Sequence, residues 1–442
     1  MGGFTLLDMK KVAFDKPVLN GEITVPGDKS ISHRAVMLGS IAKGTTSITG
    51  FLDGEDCLRT IDIFRQLGVS IERNGTDVTV ESPGMHGWQQ PAGDLYAGNS
   101  GTTARLILGI LSASRVTSVL TGDEYLSKRP MSRVSLPLKS MGASIEGEAE
   151  SSNLLPLTIV GGPLTAIDYD MPIASAQIKS SILFAGLTAD GETSVSEQTV
   201  SRDHTERMLE QFGVAIRKEG NKVSVKGGSV LSGTAVRVPG DISSAAFFMA
   251  AAAMVEGSSV TFKDVGLNPT RTGILDVLRA MGVKIDILEQ SDGLGEPYGT
   301  VTVSHNGLHA TEISGELIPR LIDELPVIAL LATQAQGVTV IKDAAELRVK
   351  ETDRITAVTT ELKKLGAHIE ETEDGMIIHG PTALSGGILS SYGDHRIGMM
   401  AGIAALVASG PISIENPSCI NISYPTFFDD LEKLAFPLHI QG

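Results

Sequence analysis

Several short stretches of this chain gather the residue types that bind anionic small molecules and move protons on them. They are "PGDKSISHRA" (Pro26 to Ala35), "GNSGTTAR" (Gly98 to Arg105), "KRP" (Lys128 to Pro130), "SAQIK" (Ser175 to Lys179), "SRD" (Ser201 to Asp203), "RLIDE" (Arg320 to Glu324), "RVKETDR" (Arg348 to Arg354) and "GDHR" (Gly393 to Arg396). In the first, "EITVP" alternates like a strand, while the residues after it put Ala35, Leu38 and Ala42 on one helical face. The cluster therefore sits at a strand-to-helix junction. Helix N-termini expose unpaired N–H groups and a positive dipole end, so phosphates and carboxylates bind there, and Lys or Arg adds a full charge. Several such junctions facing one cleft would make a site for multiply anionic small molecules.

Each stretch has a bland reading. "RVKETDR" suits a solvated helix face with i,i+3 and i,i+4 pairs, and "GDHR" suits a loop followed by a capped helix. "GDKS" lacks the GxxxxGK[ST] spacing of a phosphate-binding P-loop. His33 and His395 have no second ligand at helical i,i+4 spacing, so no metal is expected. The bland readings fail jointly: uncompensated basic residues fall repeatedly at the same place in a repeat.

That repeat is the element of the chain that must position them. "LGVSIE" (Leu67 to Glu72) returns as "MGASIE", "FGVAIR", "MGVKID" and "LGAHIE" at a period of roughly 70 residues. Each copy reads as strand, helix, strand, a helix stopped by that glycine, then two strands. "AVRVPGDISSAAFF" echoes "EITVPGDKSISHRA" without its charges, which divides six copies into three plus three. The sixth copy runs out of chain, and the strand-like segment near Lys11 to Leu19 has no repeat of its own. The expectation is two similar α/β domains, each of three βαβαββ repeats: 24–238, and 1–23 with 239–442, joined by two chain crossings.

The chain has 442 residues, 42% of them hydrophobic and 20% charged, an ordinary globular composition for two or three domains. A net charge of −16 excludes a surface built to attract nucleic acid, so an anionic ligand must be held by a local basic pocket. Cys57 and Cys419 form no CxxC or Cys/His spacing, which points to a reducing, cytoplasmic setting. The N-terminus has no apolar signal-peptide core. "FFMAAAAMV" falls far short of the ~20 residues that cross a bilayer, so no membrane partner is expected.

In order and spacing, "GDKSISHRA", "GNSGTTAR", "SKRP", "RVKETDR" and "GDHR" resemble the 5-enolpyruvylshikimate-3-phosphate synthase family across nearly the whole chain. "SAQIK" and "SRDHTE" look more like that family's second class than its enteric first class. The resemblance implies the enolpyruvyl transferase fold, an inside-out α/β barrel in each domain with the active site in the interdomain cleft. It implies transfer of the enolpyruvyl group of phosphoenolpyruvate to the 5-hydroxyl of shikimate 3-phosphate, with no cofactor, by a monomer whose partners are those two small molecules. By the same resemblance Lys29, Ser30 and Arg34 belong to the substrate site, Lys29 touching both substrates. Ser175, Gln177 and Arg202 hold the shikimate phosphate and ring, and Asp323 contacts the ring hydroxyls. Arg129, Arg354 and Arg396, with His395 beside it, grip phosphoenolpyruvate in a segment built by Asn99, Gly101 and Thr102. Lys350 binds shikimate 3-phosphate, and Glu351 sits at the reacting carbon. Lys29, Asp323 and Glu351 are the catalytic candidates. Glyphosate, which occupies the phosphoenolpyruvate site in this family, would lie beside Gly101.

One departure stands out. Where many family members carry a lysine before the C-terminal "T/S-aromatic-Pro", this chain has Ile422 in "CINISYP". A sister transferase acting on UDP-N-acetylglucosamine uses a loop cysteine, but the corresponding "GDEYLSKRP" has none. A non-catalytic repeat protein with basic helix starts would have no need of carboxylates inside a basic pocket.

Overall fold

The computed structural model describes residues 8–147, 153–290 and 295–435. The chain divides into two compact units, one of Met1–Pro26, Gly240–Ser291 and Pro297–Gly442, the other of Gly27–Pro239 with Asp292–Glu296. The boundaries therefore lie a few residues from those expected at 24 and 238, because each crossing belongs to the turn around it. Asp28 N donates to the Pro239 carbonyl at 2.8 Å in one unit, and Asp241 N to the Pro26 carbonyl at 2.8 Å in the other.

Within each unit the repeat is regular. In the third copy the strand Asp168–Asp170 runs parallel to Glu192–Ser196, which pairs antiparallel with Lys222–Lys226, itself antiparallel to Ile216–Glu219. Five four-stranded sheets and one of three strands follow this plan among the described residues. The three-stranded sheet is completed by the N-terminal strand Met9–Val12, antiparallel to Ile412–Glu415.

Two strands join sheets that the order of the repeat does not predict. From the order of the repeat, "EITVPG" would open the first copy and "AVRVPG" the fourth. Instead Asn20–Ile23 pairs with Ser259–Gly266 of the fourth sheet, and Ala235–Arg237 pairs with Lys43–Thr49 of the first. The chain crosses between units after these strands rather than before them. Each strand therefore stays with the unit it leaves.

The two helices of a copy differ in kind. The first is buried: all thirteen residues of Ile242–Met254 and all ten of His395–Ala404 are inside, as expected of helices without a polar face. Lys29–Ile41, Gly101–Ser112, Ala176–Gly186 and Leu325–Ala332 are their counterparts. The second helix is amphipathic. It ends where the repeated glycine takes up left-handed backbone, as at Gly68 (φ 86°) and Gly366 (φ 91°), a conformation that costs glycine no side-chain clash. Each unit thus wraps sheets around buried helices over its own hydrophobic core. The N-termini of those buried helices carry "GDKS", "GNSG", "SAQ", "LIDE" and "GDHR", while "KRP", "SRD" and "RVKETDR" lead into the second helices Ser132–Ser140, His204–Gln211 and Arg354–Lys364.

Candidate functional site

Five of the six buried helices are capped by their own side-chain oxygens. Asp28 accepts from Ile31 N, Ser100 from Thr103 N, Ser175 from Ile178 N, Asp241 from Ser243 N and Asp394 from Arg396 N. The sixth, Leu325–Ala332, starts after Asp323 and Glu324 with Pro326 in its first turn. Two carboxylates there are favoured by the helix dipole.

In the Gly27–Pro239 unit, Lys29 Nζ lies 3.1 Å from Asp56 Oδ2. Asp56 opens the helix Glu55–Gln66, where an acidic first turn is favourable. Arg34 is buried and donates through Nε to Thr205 Oγ1 (2.7 Å), through Nη1 to the Ser30 carbonyl (3.0 Å) and through Nη2 to Ser180 Oγ (2.8 Å). It ties the first and third central helices together. Burial pulls its guanidinium down to about 10. Arg129 donates to Asn99 Oδ1 at 2.9 Å. Arg105 donates to Gln177 Oε1 at 3.1 Å, and Gln177 Nε2 donates to Thr102 Oγ1 at 3.3 Å. A Cβ at Gly101 would stand 2.9 Å from Arg105 Nη1 and 3.6 Å from Arg129 Nη1, so the bare backbone here faces two guanidinium groups. Asn99, Gly101, Thr102, Arg129 and Gln177 are thereby gathered at two helix starts. Ser175 caps the second of these, and Arg202 lies half-buried one residue after Ser201.

Ser201 is bound to a buried ion cluster. Lys179 Nζ is 2.8 Å from Glu197 and 2.7 Å from Glu206, and Ser201 donates to Glu197 through both its N–H and its hydroxyl. Burial opposes the lysine's charge, but the two carboxylates hold its pKa above the ordinary range. Burial pushes Glu206 up, and a proton on it would leave the three groups neutral together. His33 is also buried, with Nδ1 2.8 Å from Thr60 Oγ1. Burial, then Lys29 and Arg34, push its pKa well below the usual histidine value.

In the other unit the centre is Arg354, 1% exposed at the start of the helix Arg354–Lys364. Its Nε donates to Asp394 Oδ2 (2.7 Å), Nη1 to Asp323 Oδ1 (3.1 Å), and Nη2 to Glu351 Oε2 (2.6 Å) and Asp394 Oδ1 (3.2 Å). Burial would lower its pKa, but Asp394, Glu351 and Asp323 outweigh that and raise it. Lys350 Nζ stands 3.6 Å from Asp323 Oδ1 and Arg396 Nη2 3.8 Å from Asp323 Oδ2. Arg396 Nη1 also donates to the Asp323 carbonyl at 3.2 Å. Asp323, Lys350, Glu351, Arg354 and Arg396 are thus one cluster, with His395 buried between Asp394 and Arg396 in the chain. Asp323 faces three cations, whereas Glu351 is exposed, with its Oε2 2.6 Å from Arg354 Nη2.

A parallel network lies behind Asp323. Arg271 Nη2 donates to Asp241 Oδ1 (2.9 Å) and to Ser243 Oγ (2.7 Å), and Ser243 donates to the buried carboxylate of Glu324. Sequence reasoning did not pick out Arg271, Asp241, Lys179, Asp56, Arg105 or Asp394 as site residues. Three carried a signal, since Arg105 closes "GNSGTTAR", Lys179 closes "SAQIK" and Asp394 stands at the cap position of "GDHR". The expectation of uncompensated cations also changes, because Lys29 and Arg354 have carboxylate partners. Ile422 is half-buried against the apolar core, a setting suited to isoleucine rather than to a lysine directed at an anion.

The EPSP synthase family model, 3-phosphoshikimate 1-carboxyvinyltransferase, matches residues 15–431. The chain belongs to the EPSP synthase family. It is 58% identical over 418 residues to the 3-phosphoshikimate 1-carboxyvinyltransferase of Bacillus licheniformis, covering 94% of this chain and 97% of that one. The Bacillus cereus strain G9842 protein of the same name is 57% identical over 417 residues, again covering 94% and 97%. A solved EPSP synthase from Acinetobacter baumannii superposes with a TM-score of 0.88 at 46% identity, covering 97% of this chain and 98% of the other. The family's two-domain α/β fold is the one described above. No helix among the described residues is long and apolar enough to cross a membrane.

Proposed function

We propose that the protein transfers the enolpyruvyl group of phosphoenolpyruvate to the 5-hydroxyl of shikimate 3-phosphate, releasing phosphate. The observation that carries this reading is the cluster in which Arg354 gathers Asp323, Glu351 and Asp394 beside Lys350 and Arg396. The reaction adds a hydroxyl oxygen to C2 of the enol phosphate while C3 gains a proton. C3 then loses a proton as the C2–O bond to phosphate breaks. It therefore needs one group to take the hydroxyl proton and one to give and retrieve a proton at C3.

Glu351 serves C3, because it is the exposed carboxylate of the cluster. Asp323 serves the hydroxyl, with Lys29 sharing charge stabilisation. Arg129, Arg354, Arg396 and His395 receive the phosphate and carboxylate of phosphoenolpyruvate, a role suited to guanidinium forks that keep their protons. Asn99, Gly101 and Thr102 shape that position. Ser30, Arg34, Ser175, Gln177, Arg202 and Lys350 receive shikimate 3-phosphate. The reading also takes the enzyme to be a cytoplasmic monomer; the absence of a disulfide between the two buried cysteines is in keeping with a reducing compartment.

Phosphate release from phosphoenolpyruvate tests the reaction. It should require shikimate 3-phosphate and yield 5-enolpyruvylshikimate 3-phosphate. Release driven only by UDP-N-acetylglucosamine, or by neither acceptor, would overturn the reading.

A further inference from the structure

The fifth sheet carries a second set of convergent side chains on its exposed face. Its edge strand His368–Glu371 runs antiparallel to Met376–Gly380, with His368 directly opposite His379. The two imidazoles stack with centroids 4.5 Å apart and planes 25° from parallel. Glu370, two residues from His368, lies on the same face of the strand. One ligand atom from each of His368, Glu370 and His379 can be chosen so that all three lie within 4.8 Å of one another.

The register of this hairpin is pinned from its other side. Ile369 and Ile378 face each other across the two strands and are buried in the core, so a one-residue slip would expose both. Glu371 points away from the histidines and accepts from Arg348 and Thr356. Glu370 is not drawn into that network. The hairpin therefore presents two imidazoles and a carboxylate in a geometry set by backbone pairing.

We propose that His368, Glu370 and His379 bind one first-row divalent transition ion, of the class of zinc, nickel or copper, with water in the remaining positions. Two imidazole nitrogens and one carboxylate oxygen suit these ions. Magnesium and calcium select all-oxygen sets. The bound ion clasps the edge strand to its neighbour and so stabilises the folded chain by mass action. It is separate from the transferase chemistry, whose residues it does not touch.

The test is calorimetric titration of zinc into the chelator-stripped full-length protein, beside a His368→Ala/His379→Ala variant and Glu370→Gln. Wild type should bind one zinc saturably, with a rise in Tm. The double variant should bind about tenfold more weakly or worse, a loss of about 1.4 kcal/mol or more. Its metal-free Tm and phosphate release should match wild type. The chain has nine histidines, so equal affinity in wild type and double variant would place the zinc elsewhere and overturn the proposal. Absence of saturable binding would reduce the pair to cross-strand stacking and overturn it as well.

Discussion

The two units hold their charges in different ways. In Gly27–Pro239, Arg129 and Arg105 are bound by the neutral amides of Asn99 and Gln177. An amide partner orients each guanidinium without neutralising it. In the other unit, Arg354 is shared among three carboxylates and Asp323 among three cations. The contrast separates two tasks. A group that must attract an anion is best oriented by dipoles that leave its charge intact. A carboxylate that must stay ionised beside anionic substrates needs a permanent cation against it.

The sharpest way to break this comparison is to remove the central cation. Arg354→Met would strand the fully buried Asp394, and loss of one partner of a buried pair costs about 3–5 kcal/mol. Arg129→Met, at a half-exposed site with an amide partner, should cost at most about 1 kcal/mol of stability while raising KM for phosphoenolpyruvate. Urea unfolding of both variants decides it. Equal destabilisation would erase the distinction.

Next in size is catalysis. Glu351→Gln and Lys29→Ala lie in different units, yet each should lower kcat about 10²-fold or more with the fold retained, the scale of losing an acid/base or a preorganised charge. Steady-state rates with a parallel Tm measurement check this. A near-normal kcat in either variant removes that residue from the mechanism and assigns the chemistry to the other unit.

A smaller effect concerns acid stability, where the Gly27–Pro239 unit carries a buried histidine beside Lys29 and Arg34. His33 is buried with its pKa well below the ordinary value, so below about pH 6.5 the unfolded chain binds a proton that the folded one refuses. Stability therefore rises with pH through that window and falls as pH drops, by up to ~1.4 kcal/mol per unit from this group. His33→Gln should flatten the slope of unfolding free energy between pH 6.5 and 5. An unchanged slope would show that His33 is not the acid-sensitive group.

The mildest change is Gly101→Ala. The added methyl would meet Arg105 Nη1 at 2.9 Å, but that is the tip of a flexible side chain, so the backbone can stay and Tm should hardly move. The pocket would narrow beside Arg105 and Arg129. Glyphosate, longer than phosphoenolpyruvate, should be displaced more than the substrate. Wild type should be inhibited competitively with phosphoenolpyruvate, and the ratio of inhibition constant to KM should rise in the variant. A constant ratio would mean that the missing side chain does not admit the inhibitor.

What the sequence determined by itself is local. Glycine stops, apolar helical spacing and capping residues act within one turn or one strand, so the βαβαββ copies and their charged helix starts were legible in order. Residues matching the family's motifs could be named because those motifs are contiguous. Pairing across the chain was not legible in the same way. "EITVPG" and "AVRVPG" have nearly the same pattern, and only the point at which the chain crosses between units decides which sheet each strand joins. Lys29 meets Asp56 across 27 residues and Arg354 meets Asp394 across 40. Nothing in the spacing of either charge specifies such a partner. The same holds for His368 and His379, eleven residues apart in sequence and brought face to face only by the hairpin register. Tertiary structure decided these contacts because they depend on which helix ends and strand faces converge, a property of packing and topology rather than of any short stretch of chain.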